Sequence, residues 1–204
     1  MHIYNDCYNK NNKKYDWLIF CDIDEYIYLK NYKSIKLFLN ENRFNKCQII
    51  NLNVIFYTDN NLIHYDNRSL RERFTEREPR VRGKKRGGKK GIKSIIRGKL
   101  YNITINNVHS LYPNDNSCDG FGNKRKINGM FTSISDFEYY YINHYSCKSL
   151  EEFIKKLKKT DAFHKKDSRM NRVIHYLTYN KITKEKLDII ENMTKLNLSQ
   201  FRRK

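Results

Sequence analysis

Trp17-Leu18-Ile19-Phe20-Cys21-Asp22-Ile23-Asp24-Glu25-Tyr26-Ile27 runs from an apolar, aromatic opening into a cluster of acidic side chains. The part from Tyr15 to Asp22 is too short for a helix and suits a pleated, buried surface, so it predicts a core strand of a parallel sheet. Its acidic end then lies beyond the carboxyl end of that strand, where open α/β sheets bind ligands. Alternation along extended backbone puts Asp22 and Asp24 on one side, so that two hard oxygens converge on one Mg²⁺ or Mn²⁺. The plain alternative is a solvated strand end with ordinary turn carboxylates, which a bare D-x-D does not exclude.

Outward from this stretch the pattern is α/β. Ser34 caps a short helix through Ile35, Phe38 and Leu39, and the nearly continuous apolar run from Gln48 to Tyr57 predicts a second core strand, giving a strand, helix, strand rhythm. Further strands are expected at Ile92 to Arg97, Tyr101 to Val108 and Tyr139 to His144, with a loop over Asp115 to Asn128. The last third is helical. Ser149-Leu150-Glu151-Glu152 is a capping box ahead of Phe153, Ile154 and Leu157, and the same apolar spacing recurs at Met170, Val173, Ile174 and Leu177. Leu187, Ile190 and Met193 predict a last helix after Thr183. The expected organisation is an α/β core over residues 1–147, with a basic loop at 80–91, and a helical region over 148–204.

Basic side chains outnumber acidic ones by 41 to 22, a net charge of +19 that favours anionic partners such as nucleic acid, phosphorylated substrates or acidic membrane surfaces. No acidic residue occurs between Pro79 and Asn114. Arg82-Gly83-Lys84-Lys85-Arg86-Gly87-Gly88-Lys89-Lys90-Gly91 could track a nucleic-acid backbone, although it lacks the interleaved aromatics of single-strand platforms, and a Lys-rich solvated insertion explains it equally. Cys7, Cys21, Cys47, Cys118 and Cys147 are odd in number and widely spaced, which predicts reduced thiols rather than a disulfide framework or a zinc site. No apolar run approaches the roughly 20 residues of a membrane span and Met1 to Lys14 is too polar for a leader, so the default expectation is cytoplasmic. Sequons begin at Asn67, Asn102, Asn192 and Asn197, but an Asn-rich chain yields such triplets by accident.

Three segments in order carry a family resemblance. Trp17 to Ile27 is similar to the W-[LIV]-x-F-x-D-[IV]-D-E-[FY]-[LI] signature of glycosyltransferase family 92 and related GT-A proteins. Lys93-Ser94-Ile95-Ile96-Arg97, with Val108-His109 after it, resembles the family's Lys-Ser-Ile strand and downstream histidine. Asn143-His144-Tyr145-Ser146-Cys147-Lys148-Ser149-Leu150-Glu151-Glu152-Phe153 resembles its His-Tyr, Lys-Ser and Glu-Glu-Phe helix start.

The resemblance implies a partial GT-A, Rossmann-like mixed sheet with a helical C-terminal region. It also implies transfer of a sugar from a nucleotide-diphosphate donor, of the UDP-sugar type, to a hydroxyl of a glycan, lipid or protein, with Mn²⁺ or Mg²⁺. On it, Asp22 and Asp24 hold the metal and donor and Lys93 offsets diphosphate charge. His109 completes the metal site, with His144 as its rival; packing or hydrogen bonding is the alternative for either histidine, and solvation the alternative for Lys93. An acceptor hydroxyl also needs a proton acceptor, for which Asp66, Glu76 and Asp119 are candidates, each equally readable as a surface charge. The family places about a hundred residues ahead of the D-x-D strand, forming the first nucleotide-binding units, so the expectation is a truncated core with a missing N-terminal partner segment, or a non-catalytic remnant of the fold.

Overall fold

The computed structural model describes residues 2–78, 90–101, 103–107, 110–112, 116–125, 131–132, 136–158 and 167–202. They fall into two units, one of Met1–Ile55 with Gly83–His144 and one of Phe56–Arg82 with Tyr145–Lys204. Together they form a mixed α/β fold with a curled sheet and several helices, as the partial GT-A pattern predicts. Most of the basic loop at 80–91 lies outside the described residues; Lys90 and Gly91 already belong to a strand.

The first unit is built on a sheet of order β1-β4-β3-β9-β2, with β7 beside β3 and β8 beside β4. These strands are β1 (Trp17–Ile19), β2 (Glu25–Leu29), β3 (Ile49–Phe56), β4 (Lys90–Arg97), β7 (Ser117–Asp119), β8 (Phe131–Thr132) and β9 (Tyr140–His144). The pair β5 (Thr104–Asn107) and β6 (Ser110–Tyr112) forms a separate ribbon. Strand β3 is the axis: apolar except at Asn51 and Asn53, it is buried up to its last residue and pairs antiparallel with β4 and parallel with β7.

Three expectations about this unit are corrected. Strand β1 ends at Ile19, before the carboxylates, is half-buried, and runs antiparallel to β4, from Trp17 opposite Arg97 to Ile19 opposite Ile95. It therefore stands at one end of the strand order, paired antiparallel, and not in a parallel core. The stretch from Asp115 to Asn128 is not all loop, since Ser117–Asp119 is β7. The thiols are not all reduced: Cys47 and Cys118 form a disulfide across 71 residues, with Cα atoms 5.8 Å apart. The parallel register that sets Cys118 beside Ile50 brings the two together, and nothing in their linear spacing announces it.

The sheet curls, and at its acidic end two long side chains bridge β4 and β2, three positions apart in the strand order: Lys93 meets Glu25 at 2.6 Å. On the opposite face, helix α1 (His2–Asn11) covers Ile49 and Ile96 with Tyr8, whose hydroxyl donates to the Arg97 carbonyl at 2.7 Å. Asn5 donates to and accepts from the backbone of Ile105. This helix escapes a hydrophobic-pattern search because only Tyr4 and Tyr8 mark its buried stripe. Gly98 closes the same region: a Cβ there would stand 1.9 Å from the Tyr15 carbonyl oxygen. Helix α2 (Ile35–Leu39) starts on Ser34, whose hydroxyl accepts from the Leu37 amide.

The second unit packs α4 (Leu150–Lys158), α5 (Asp167–Tyr179) and α6 (Lys184–Thr194), with the short α3 (Leu70–Arg73) preceding them in the chain. Leu150, Phe153, Ile154, Leu157, Val173, Tyr176, Leu177, Leu187 and Ile190 form its core, and the Phe153 and Tyr176 rings stack at 4.1 Å. Ile174 and Met193, expected on the apolar faces, are exposed. The capping box is present: the Ser149 amide donates to Glu152 Oε2 at 3.2 Å, the Glu152 amide donates to Ser149 Oγ at 3.4 Å, and Arg73 grips the same carboxylate at 2.6 Å. A wholly buried knot joins Asp59 to Lys186 at 2.6 Å and to the Tyr176 hydroxyl at 2.5 Å. No helix among the described residues is long and apolar enough to cross a membrane.

Candidate functional site

The acidic motif is a turn joining two distant strands. The Glu25 amide donates to the Asp22 carbonyl at 3.0 Å, and the Asp22 amide donates back to Glu25 Oε2 at 3.0 Å. This closure leaves Ile23 94% exposed at the tip while Asp24 and Glu25 turn inward and become buried. Asp22 and Asp24 thus take their directions from a turn rather than from strand alternation. The Asp22 side chain is largely exposed.

Antiparallel pairing of β2 with β9 sets Glu25 directly opposite His144. His144 Nδ1 stands 3.7 Å from Glu25 Oε1, and its Nε2 stands 3.7 Å from Asp24 Oδ1. From β4, the fully buried Lys93 brings its ammonium to 2.6 Å from Glu25 Oε2 and 3.7 Å from Asp22 Oδ2. Burial pushes the His144 imidazole below its ordinary pKa, against the opposing pull of Glu25 and Asp24, which favours the neutral ring that a metal ligand requires.

Among the described residues, donor atoms of Asp22, Glu25 and His144 lie within 4.8 Å of one another. Two observations test whether the group suits a divalent ion. Glu25 Oε1 is a buried acceptor without a hydrogen bond, an arrangement that costs about 1–3 kcal/mol unless something occupies it. The two carboxylates supply the hard oxygens that suit Mn²⁺ and Mg²⁺, and the imidazole adds one borderline nitrogen donor. In formal charge, Asp22, Asp24 and Glu25 against Lys93 leave two negative charges for one dication to balance. The residues fit.

Of the residues singled out from sequence, Asp22, Lys93 and His144 are gathered here, with Asp24 beside His144, whereas His109 lies outside the described residues. Lys93 is buried at the heart of the group and not solvated. Glu25 stands in the motif but is not among the residues singled out from sequence; its signal is its place at the head of a strand pairing with His144. Asp119 is in the first unit, where its oxygens accept from the amides of Phe121 and Asn123 and from Arg125 Nε. Asp66 belongs to the second unit and is held by Arg68, whose guanidinium keeps that carboxyl below its usual range. Glu76, also in the second unit, is exposed and lines a cavity of about 490 Å³.

No protein of curated function is significantly similar to the chain. The sequence pattern of glycosyltransferase family 92 matches residues 1–183, a span that includes the Asp22–Glu25 turn, Lys93 and His144. The chain therefore belongs to glycosyltransferase family 92.

Proposed function

We infer that this chain transfers a sugar from a nucleotide-diphosphate donor, of the UDP-sugar class, to a hydroxyl of a glycan, lipid or protein, using Mn²⁺ or Mg²⁺. Family membership supports a glycosyltransferase-like function, and the buried, unbonded Glu25 Oε1 inside the Asp22, Glu25 and His144 group is the observation that supports a metal-dependent one. The ion would be held by Asp22, Glu25 and His144, with Asp24 beside them, and when bound it offsets the charge that develops on a departing diphosphate.

The protein's own groups prepare this site. Lys93 holds Glu25 through a short, buried ion pair, fixing the carboxylate on the side away from His144 while its second oxygen faces the imidazole. The Asp22 amide bond to the same carboxylate keeps the turn closed. Asp22, Asp24 and Lys93 are the residues proposed to meet the donor diphosphate. For the acceptor proton, Asp66, Glu76 and Asp119 remain the proposed candidates; the oxygens of Asp119 and Asp66 already accept hydrogen bonds from Arg125 and Arg68.

Manganese binding followed by electron paramagnetic resonance, with UDP-sugar added, tests the reading. The expected result is loss of manganese affinity by about 10- to 100-fold in Glu25→Gln and His144→Ala. Binding that is unchanged in both variants would remove the metal site from the proposal.

A further inference from the structure

Helices α4 and α5 of the second unit enclose a cavity of about 390 Å³ that the sugar-transfer reading does not use. That volume is within the range of small-molecule sites, roughly 300–1,000 Å³. Its floor is apolar and buried: Phe153, Leu157 and Tyr176. Its rim is basic: Lys156 and His175 are exposed and Arg172 is half-buried. Helical spacing produces this division, because Phe153, Lys156 and Leu157 share one face of α4 while Arg172, His175 and Tyr176 share one face of α5. No carboxylate is among the described lining residues.

An apolar floor under a rim of guanidinium, ammonium and imidazole complements an anion carried on a hydrocarbon body. Phosphate is an anion that Arg and Lys recognise in complementary ways, the former by paired N–H donors and the latter as a point charge. We propose that this cavity binds a phosphate monoester attached to an apolar group, the phosphate on Arg172 and Lys156 and the apolar group against Phe153, Leu157 and Tyr176. The site is independent of the acidic cluster and stands or falls separately from it.

Calorimetric titration of the full chain with n-hexyl phosphate, n-hexanol and inorganic phosphate tests the proposal. Hexyl phosphate is expected to bind at least about tenfold more tightly than either fragment, and the pair Lys156→Gln with Arg172→Gln to lose about tenfold or more. Lys158→Gln, exposed on the same helix but outside the lining, is expected to bind as the native chain does. Equal affinity for hexanol, equal affinity for inorganic phosphate, native affinity in the double variant, or the same loss in Lys158→Gln each overturns it. Phosphatidylcholine vesicles doped with phosphatidate distinguish the sources. Cosedimentation that the double variant loses identifies a lipid-borne phosphate, and hexyl phosphate binding without cosedimentation identifies a soluble ester. Cosedimentation undiminished in the double variant counts against the site.

Discussion

Lys93 and Glu25 are both almost fully buried, 2.6 Å apart, in a part of the sheet where water does not screen them. Removing one partner strands the other charge, which typically costs about 3–5 kcal/mol, whereas replacing both by apolar side chains of similar size costs far less. Lys93→Met is therefore expected to lower unfolding free energy in urea by about that amount, and Lys93→Met with Glu25→Leu to recover most of it. A double variant no more stable than the single one would show that the pair does not act as a unit. Part of this candidate site is legible in the sequence: Asp22, Asp24 and Lys93 stand out through their motifs and His144 as the rival of His109, but Glu25 does not. The partnership is not legible, because it depends on which strands curl together, and strand alternation gave the wrong reason for the directions of Asp22 and Asp24.

At the scale of elements, the best-read part was the start of α4, where Ser149 and Glu152 form the box that their spacing announced. Burial tends to raise the Glu152 pKa, but hydrogen bonds from Arg73 and Ser149 outweigh it and hold the group below its ordinary value of 4.5. A carboxylate with a depressed folded pKa contributes stability that is present above the unfolded value and is lost as pH falls through the folded one. Glu152→Gln is expected to cost about 1–2 kcal/mol near neutral pH, with the deficit shrinking below about pH 4.5 as native Glu152 also takes up a proton. Urea melts of both proteins across that range check this; a deficit that stays constant with pH would place the loss in packing. Helices α4, α5 and α6 were readable because a 3.6-residue period is local. Strand β7 was not, since three residues carry no period, and α1 was not, since two tyrosines and one asparagine hold an otherwise polar segment.

For the molecule as a whole, the pairing order β1-β4-β3-β9-β2 was the least legible feature. Short apolar runs identify strands but not their neighbours, so a parallel sheet was as compatible with them as the mixed one found. The disulfide is the strongest covalent constraint on that order. Closing a span of 71 residues restricts the unfolded chain by about 4 kcal/mol on a chain-entropy account. Cys47→Ser with Cys118→Ser is expected to lower the denaturation midpoint accordingly, with dithiothreitol reproducing the shift in the native chain and having no effect on the variant. The curl of the sheet has its own consequence. The Asp22–Glu25 turn, Lys93 and His144 are far apart along the chain and become neighbours only when their strands pair and arch together, so an unfolded polypeptide offers a cation no comparable grip. Any ion they capture would then act as a keystone, and a melting curve recorded with and without manganese would measure how firmly the arch is closed.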